Sequence, residues 1–155
     1  MSRLIHGDRI CKGAKVLVGA SAQIWDPSGK QILLTKRGDN GRWCLPGGQL
    51  DSGESIKETC AREVLEETGL IVDVGHLIAV YTNPDMLLSY DKEHQYQMVS
   101  FHFAVTVTGG EVGLSDETTD VGFFSLEEIK EMDLMEHHQQ RIEDALLGKK
   151  ETLVR

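Results

Sequence analysis

No apolar run in this chain approaches the roughly 18–20 residues that a membrane-spanning helix requires. The longest candidate, residues 16–25, is interrupted by Gly19, Ser21 and Gln23. The N-terminal stretch Met1-Ser2-Arg3-Leu4-Ile5-His6-Gly7-Asp8 lacks the apolar region of a secretory leader. Cysteine is scarce: Cys11, Cys44 and Cys60 are odd in number and show no C-x-x-C spacing, so neither a disulfide framework nor a zinc site is indicated. Only 3 prolines occur, with no low-complexity tract, long linker or internal repeat. A collagenous, disordered or coiled-coil protein is excluded on composition. Together these absences lead us to expect a cytoplasmic protein that does not enter a membrane.

Positive charge is also in short supply. Against 25 acidic side chains stand 16 basic ones, a formal net charge of −9. A protein that tracks a nucleic-acid polymer advertises a basic face, and none is evident. Small polyanions remain within reach if a divalent cation bridges them to the acidic surface. The chain has 155 residues, a length suited to one domain over residues 1–155. A chain of this size buries roughly 68–70% of its unfolded surface and folds without staples.

Residues 15–25 are apolar and β-branched and predict a strand. Asp26-Pro27-Ser28-Gly29 is a turn, because Pro presets φ and Gly accepts positive φ. Residues 31–35 then predict the returning strand of a hairpin. Trp43-Cys44-Leu45-Pro46-Gly47-Gly48 is a short extended piece running into a glycine bend. Residues 72–82 are moderately strand-like, and residues 83–93 form a polar excursion containing Pro84. From residue 97 to 108 the alternation is strict, with Val99, Phe101, Phe103, Val105 and Val107 on one face and Met98, Ser100, His102, Ala104 and Thr106 on the other. Gly109-Gly110 is expected to turn this strand. Residues 121–124 predict a last short strand, Ser125-x-x-Glu128 a second helix start, and a final helix ends near Gly148. Without regular βαβ alternation, the pattern predicts an α+β fold: a mixed sheet with helices packed on it.

The chemistry concentrates in residues 48–70. Ser55-x-x-Glu58 is a capping box that opens a helix, and Gly69 is its natural stop. At 100° per residue, Glu63, Glu66 and Glu67 fall within about a 100° arc, beside a stripe of Cys60, Ala61, Val64 and Leu65. Like charges at these spacings cost a helix roughly 0.2–0.5 kcal/mol per pair, and the dipole disfavours acids in the C-terminal half. A hard divalent cation removes both penalties, since Mg²⁺ and Mn²⁺ prefer clustered carboxylate oxygens. A merely solvated acidic face fits the spacing equally well.

The whole segment decides between these readings. Gly48, Glu54 and then Arg62-Glu63-Val64-Leu65-Glu66-Glu67-Thr68-Gly69-Leu70 fix nine positions over 23 residues. That pattern resembles the Nudix hydrolase (MutT-like) signature without a departure. The lead-in at Trp43-x-Leu45-Pro46-Gly47-Gly48 and the exit strand at Val121-Gly122-Phe123-Phe124-Ser125-Leu126 are similar to the family's flanks. The strict motif covers about a seventh of the chain. The order of elements is nonetheless similar to the Nudix α/β/α sandwich.

The resemblance implies a Mg²⁺-dependent pyrophosphohydrolase, with Mn²⁺ as alternative, cleaving a diphosphate linkage in a small-molecule nucleotide substrate by water attack at phosphorus. By position it implies Glu63, Glu66 and Glu67 as metal ligands, with the Gly47 carbonyl beside them and Arg62 and Glu54 as their support. The general base would be Glu63 or a later loop acid, Glu117 first, with Asp116 and Glu111 behind it. Pro84 stands fourteen residues after Leu70. Relatives acting on ADP-ribose often carry a proline at about that distance, although a MutT-type triphosphatase fits nearly as well. Many members are homodimers, and residues 3–10 offer a segment for such a contact.

Two other readings compete. A non-catalytic nucleotide-sensing domain would keep the fold but usually loses helix glutamates. A prenyl diphosphate isomerase would need a protonating group and a catalytic cysteine; Cys44 and Cys60 are available, but Cys60 lies in the apolar stripe. His137 and His138 are expected to be exposed helix residues. His102 is expected to be a hydrogen-bonded sheet histidine, or else to line a cleft. Tyr81, Tyr96 and Trp25 are expected to pack, with stacking on a base as the alternative.

Overall fold

The computed structural model describes residues 2–155. Its elements in chain order are β1 (Arg3–His6), β2 (Lys15–Gln23), β3 (Gln31–Arg37), β4 (Trp43–Cys44), β5 (Gly47–Gln49), α1 (Ile56–Thr68) and β6 (Leu70–Tyr81). There follow β7 (Met86–Ser89), β8 (Gln95–Gly110), β9 (Thr118–Ser125), α2 (Leu126–Lys130), α3 (Glu136–Leu146) and β10 (Leu153–Val154). The fold is α+β with a mixed larger sheet, as expected. In that sheet β2 runs parallel to β8, while β5 pairs antiparallel with β2, and β6 and β7 antiparallel with β8. A smaller antiparallel sheet has the order β4-β3-β9.

Three layers result. On one face of the larger sheet, Cys60 and Val64 of α1 pack with Ala20, Ala22, Ile24, Leu70 and Phe103. Against the smaller sheet, Ile129 and Ile142 join Ile32, Leu34 and Leu45. The other face of the larger sheet is covered by α3, where Ala145 meets Ile78, Ala79 and Tyr81. Among the described residues no helix is long and apolar enough to cross a membrane.

Local signals predicted several boundaries well. Both capping boxes form, Ser55 with Glu58 and Ser125 with Glu128, and Gly69 closes α1 in the left-handed conformation at φ 79°. Other expectations are corrected. The turn at residues 26–29 forms, but the hairpin survives only beside the turn, where Trp25 bridges Ile32. Beyond it β3 leaves for the smaller sheet, because β9 offers it a full antiparallel partner.

Gly109 and Gly110 do not turn the chain but continue β8, paired with Ile71 and Leu70. The polar excursion contains β7, which takes β1 as its partner, so residues 3–6 are used within the chain. The last strand is β10, parallel to β6 through Ala79 and Val80. On α1 the buried stripe is Thr59, Cys60, Glu63, Val64 and Thr68, whereas Leu65 is 49% exposed.

Candidate active site

The helix α1 is aimed by its caps and by what it buries. Its N-terminus is pinned by Ser55, and its buried flank lies on β2 and β6, so Glu63, Glu66 and Glu67 face the β5 edge. Two glycines allow that approach. A Cβ on Gly47 would lie 2.2 Å from the Ala20 carbonyl oxygen, and one on Gly48 would lie 2.4 Å from the Glu63 carboxylate. The bare backbone of Gly47 lets β5 pass against β2, and that of Gly48 leaves room for the Glu63 carboxylate.

Arg62 is the centre of the acidic cluster. Its Nη1 donates to Glu63 Oε1 at 3.0 Å and to Glu66 Oε2 at 3.1 Å. Its Nη2 donates to the Gln49 carbonyl at 3.0 Å and to Glu54 Oε2 at 3.1 Å, and Nε closes the fork on Glu54 Oε1. Glu54 is held in turn by the Thr59 hydroxyl at 2.9 Å and the Asp51 N–H at 3.1 Å. The Arg62 hydrogen bonds bring the Glu54 carboxyl down to about 2.

Glu67 turns to the other side, where Oε2 accepts the Gly47 N–H at 3.0 Å. Burial raises its pKa to about 8, and the charges of Glu63 and Glu117 push the same way. Burial also raises Glu63, against the opposing pull of Arg62. Such carboxylates hold unfavourable charge that a bound cation would relieve.

The structure thus brings Glu54, Arg62, Glu63, Glu66, Glu67 and Gly47 together. Glu117 is exposed in the loop before β9, close enough to Glu63 and Glu67 to act on both. Its carbonyl accepts the Gly38 N–H at 3.0 Å, which ties that loop to the end of β3. Asp116 is exposed beside it, whereas Glu111 lies past the C-terminal end of α1, its carbonyl against Gly69.

Among the described residues, no three His, Cys, Asp or Glu side chains are gathered closely enough to hold an ion as they stand. Glu63 and Glu66 are committed to the Arg62 guanidinium, and Glu67 to the Gly47 amide. The donor set still fits a hard divalent cation. It is all oxygen, it carries excess negative charge, and its glycine wall leaves room that any Cβ would fill.

A cavity of about 130 Å³ opens beside this cluster, with Gly47 and Gly48 on one wall and Tyr90, His137 and Arg141 on another. A second cavity, about 420 Å³, is walled by Pro84, Asn83, Gln140 and Arg155. The two share Met98, Ser100, His137 and Arg141.

Several of these residues were misread or missed in the sequence. His137 and His138 are not surface groups. His138 is buried and its Nδ1 accepts the Leu45 N–H at 3.1 Å, while His137 lines both cavities. They lie in the first turn of α3, which the fold presses into the sheet. Arg141 and Tyr90 carried no motif. The polar phase of the β8 alternation, continued by Ser21 and Gln23 on β2, was the one available signal for the buried network that holds Arg141. His102 is fully buried and hydrogen-bonded, as expected of a sheet histidine, and does not line a cleft. Tyr81 and Trp25 pack within the fold. Tyr96 sets its ring edge-on to Tyr90, the centroids 6.3 Å apart. All three cysteines are buried; Cys44 lines the first cavity, where burial pushes its thiol up to about 11.

Comparison with known proteins agrees with this geometry. The family described as NUDIX domain matches residues 15–145. An ADP-ribose pyrophosphatase of Methanocaldococcus jannaschii is 34% identical over 122 residues, covering 77% of this chain and 68% of that protein. A MutT-like protein of Streptomyces ambofaciens is 36% identical over 118 residues, covering 76% and 70%. A crystal structure of an ADP-ribose pyrophosphatase from Streptococcus suis superposes with a TM-score of 0.70 at 26% identity, over 90% of this chain and 98% of that one. The chain belongs to the Nudix hydrolases, enzymes that act on pyrophosphate bonds of small nucleotides and generally need a divalent metal.

Proposed function

We propose that this Nudix hydrolase is a Mg²⁺-dependent pyrophosphohydrolase of the ADP-ribose class, with Mn²⁺ able to substitute. The observation that carries the reading is the placing of Glu63 and Glu66 on Arg62 and of Glu67 on the Gly47 amide, at the Gly47–Gly48 edge of a cleft. Glu63, Glu66 and Glu67, with the Gly47 carbonyl, would hold the cation. When bound, it neutralises phosphoryl oxygens and lowers the pKa of attacking water.

The protein's own groups do the rest. Arg62, braced by Glu54, holds Glu63 and Glu66 on one guanidinium nitrogen and offsets their mutual repulsion. A carboxylate takes the proton of the attacking water. Glu117 is favoured for this over Glu63, because Glu63 is tied to Arg62 while Glu117 stands exposed beside the cluster. Pro84 on the wall of the second cavity and the two relatives named ADP-ribose pyrophosphatases support the substrate class. The MutT-like relative supports a nucleoside triphosphate as the second reading.

A phosphate-release screen with Mg²⁺ decides between them. Its panel holds ADP-ribose, nucleoside triphosphates, oxidised guanine nucleotides, dinucleoside polyphosphates and nucleotide sugars. ADP-ribose is expected to be preferred, with turnover lost in a folded Glu67→Gln variant. A triphosphate preference would replace the substrate class. Wild-type turnover in Glu67→Gln would overturn the metal-ligand assignment.

A further inference from the structure

Arg141 is 6% exposed, and its Nε has no hydrogen-bond partner. Every other arginine with a buried or half-buried head group has a carboxylate. Arg37 pairs with Asp39, Arg42 with Asp133 and Glu136, Arg62 with Glu54, and Arg155 with Asp144. Among the described residues Arg141 has none. Asp144, on the next turn of α3, is taken by Arg155 at 2.7 Å and by the Tyr81 hydroxyl at 2.7 Å. Burial lowers Arg141 only to about 10, so it remains a cation at neutral pH. An uncompensated buried charge is costly, and a fold keeps one where a ligand of opposite sign completes it.

The guanidinium is also held in place. Its Nη1 donates to Ser21 Oγ at 3.1 Å, which leaves the Ser21 proton for His102 Nδ1 at 2.8 Å. His102 Nε2 then donates to Gln23 Oε1 at 3.1 Å. The Tyr81 ring lies 5.4 Å below the guanidinium carbon. None of these partners carries negative charge. Ser21 stands opposite Gly47 in the β2–β5 ladder, so the cation sits across one strand pair from the amide that holds Glu67. Both cavities open on it.

We propose that Arg141 is a preorganised phosphate-binding residue. It would take a non-bridging phosphoryl oxygen of the substrate from the α3 side of the cleft, opposite the acidic helix. A neutral base edge would satisfy its N–H groups but leave the charge unpaired, whereas a phosphate removes both penalties. The proposal rests on the diphosphate-substrate reading above. It makes Arg141 independent of the cation held by the glutamates.

The test is calorimetric titration in EDTA with two probes, inorganic pyrophosphate and orthophosphate, so that metal-site chemistry plays no part. Wild type is expected to bind pyrophosphate, and Arg141→Met and Arg141→Gln to lose about tenfold to a hundredfold in affinity, the value of a charge-assisted hydrogen bond. Equal losses for both probes assign a single phosphate; a loss for pyrophosphate alone assigns the diphosphate. Glu67→Gln is expected to retain binding, which separates this result from a failure of the metal-site reading. Exposed Lys150→Gln controls for net charge and is expected to bind as wild type. Arg141→Met should melt no lower than wild type, since it removes an unpaired buried cation. Wild-type affinity in either folded neutral variant, no metal-free binding by wild type, or collapse of both neutral variants would each overturn the proposal.

Discussion

Gly48 lies directly against Glu63: a Cβ built on the glycine falls 2.4 Å from the carboxylate carbon and from Oε1. Gly48 has no positive φ, so its backbone accepts alanine, and the nearest atoms a Cβ meets are all at the end of the Glu63 side chain. Gly48→Ala is therefore expected to leave the melting temperature nearly unchanged. It would re-aim Glu63, and misplacement by about 1 Å costs on the order of a hundredfold in rate. Phosphate release beside a thermal melt checks both halves; an active, stable alanine variant would show that the position of Glu63 does not matter.

Arg62 donates to four different residues through one planar fork. Lysine offers a point charge and cannot hold that geometry. Arg62→Lys should reduce turnover about 10–100-fold, in the range seen when a group that orients metal ligands is changed. The Mg²⁺ concentration for half-maximal rate should rise with it. Loss of rate at an unchanged Mg²⁺ requirement would separate Arg62 from the ligand cluster.

Glu117 is exposed and acts on Glu63 and Glu67 through its charge. As general base, its replacement by Gln should lower kcat about 10²–10⁴-fold. KM and the melting temperature should barely move, because the side chain supports no packing. If Glu117→Gln turns over normally, the base is Glu63 or one of the other loop acids, Asp116 or Glu111.

His102 faces Ser21 and Gln23 on β2, and the charges of Arg141 and Asp144 on α3. Burial first, then Arg141, lowers its pKa to about 3. A depressed base is protonated more readily in the unfolded chain. Its contribution is thus fully present above about 6.5 and is lost as pH falls toward 3. Between pH 7 and 5 the expected loss is roughly 2 kcal/mol from His102 alone. His137 and His138, also lowered by burial, act in the same direction. Glu67, raised to about 8, acts the opposite way across the whole of the pH 7 to 5 interval. The comparison of wild type with His102→Gln therefore isolates the effect: the variant's stability should fall less steeply from pH 7 to 5. Parallel slopes would mean that His102 is not buried neutral.

The acidic helix was legible because its signals are local. A capping box, a left-handed glycine stop and carboxylates on one arc depend only on residues within a few turns, and α1 forms accordingly. Leu65 shows where this local reading ends, since only the sheet decides which flank is covered, and it covers Thr59 and Thr68 instead.

The alternation of β8 was equally plain, with Phe101, Phe103 and Val105 on the α1 side. What alternation leaves open is whether the other face meets water. Here α3 closes over it, so that Ser21, Gln23, Ser100 and His102 become a buried polar layer rather than a wetted one. The same closure carries His137, His138 and Arg141 inward. Nothing in the neighbouring sequence marks them, because their environment is supplied by residues 39 to 120 positions away. The sequence by itself therefore determined the acidic helix and the family it signals. The cation opposite that helix was decided only when the tertiary structure placed α3 across β2 and β8, since burial and the absence of a counter-charge are properties of packing, not of local pattern.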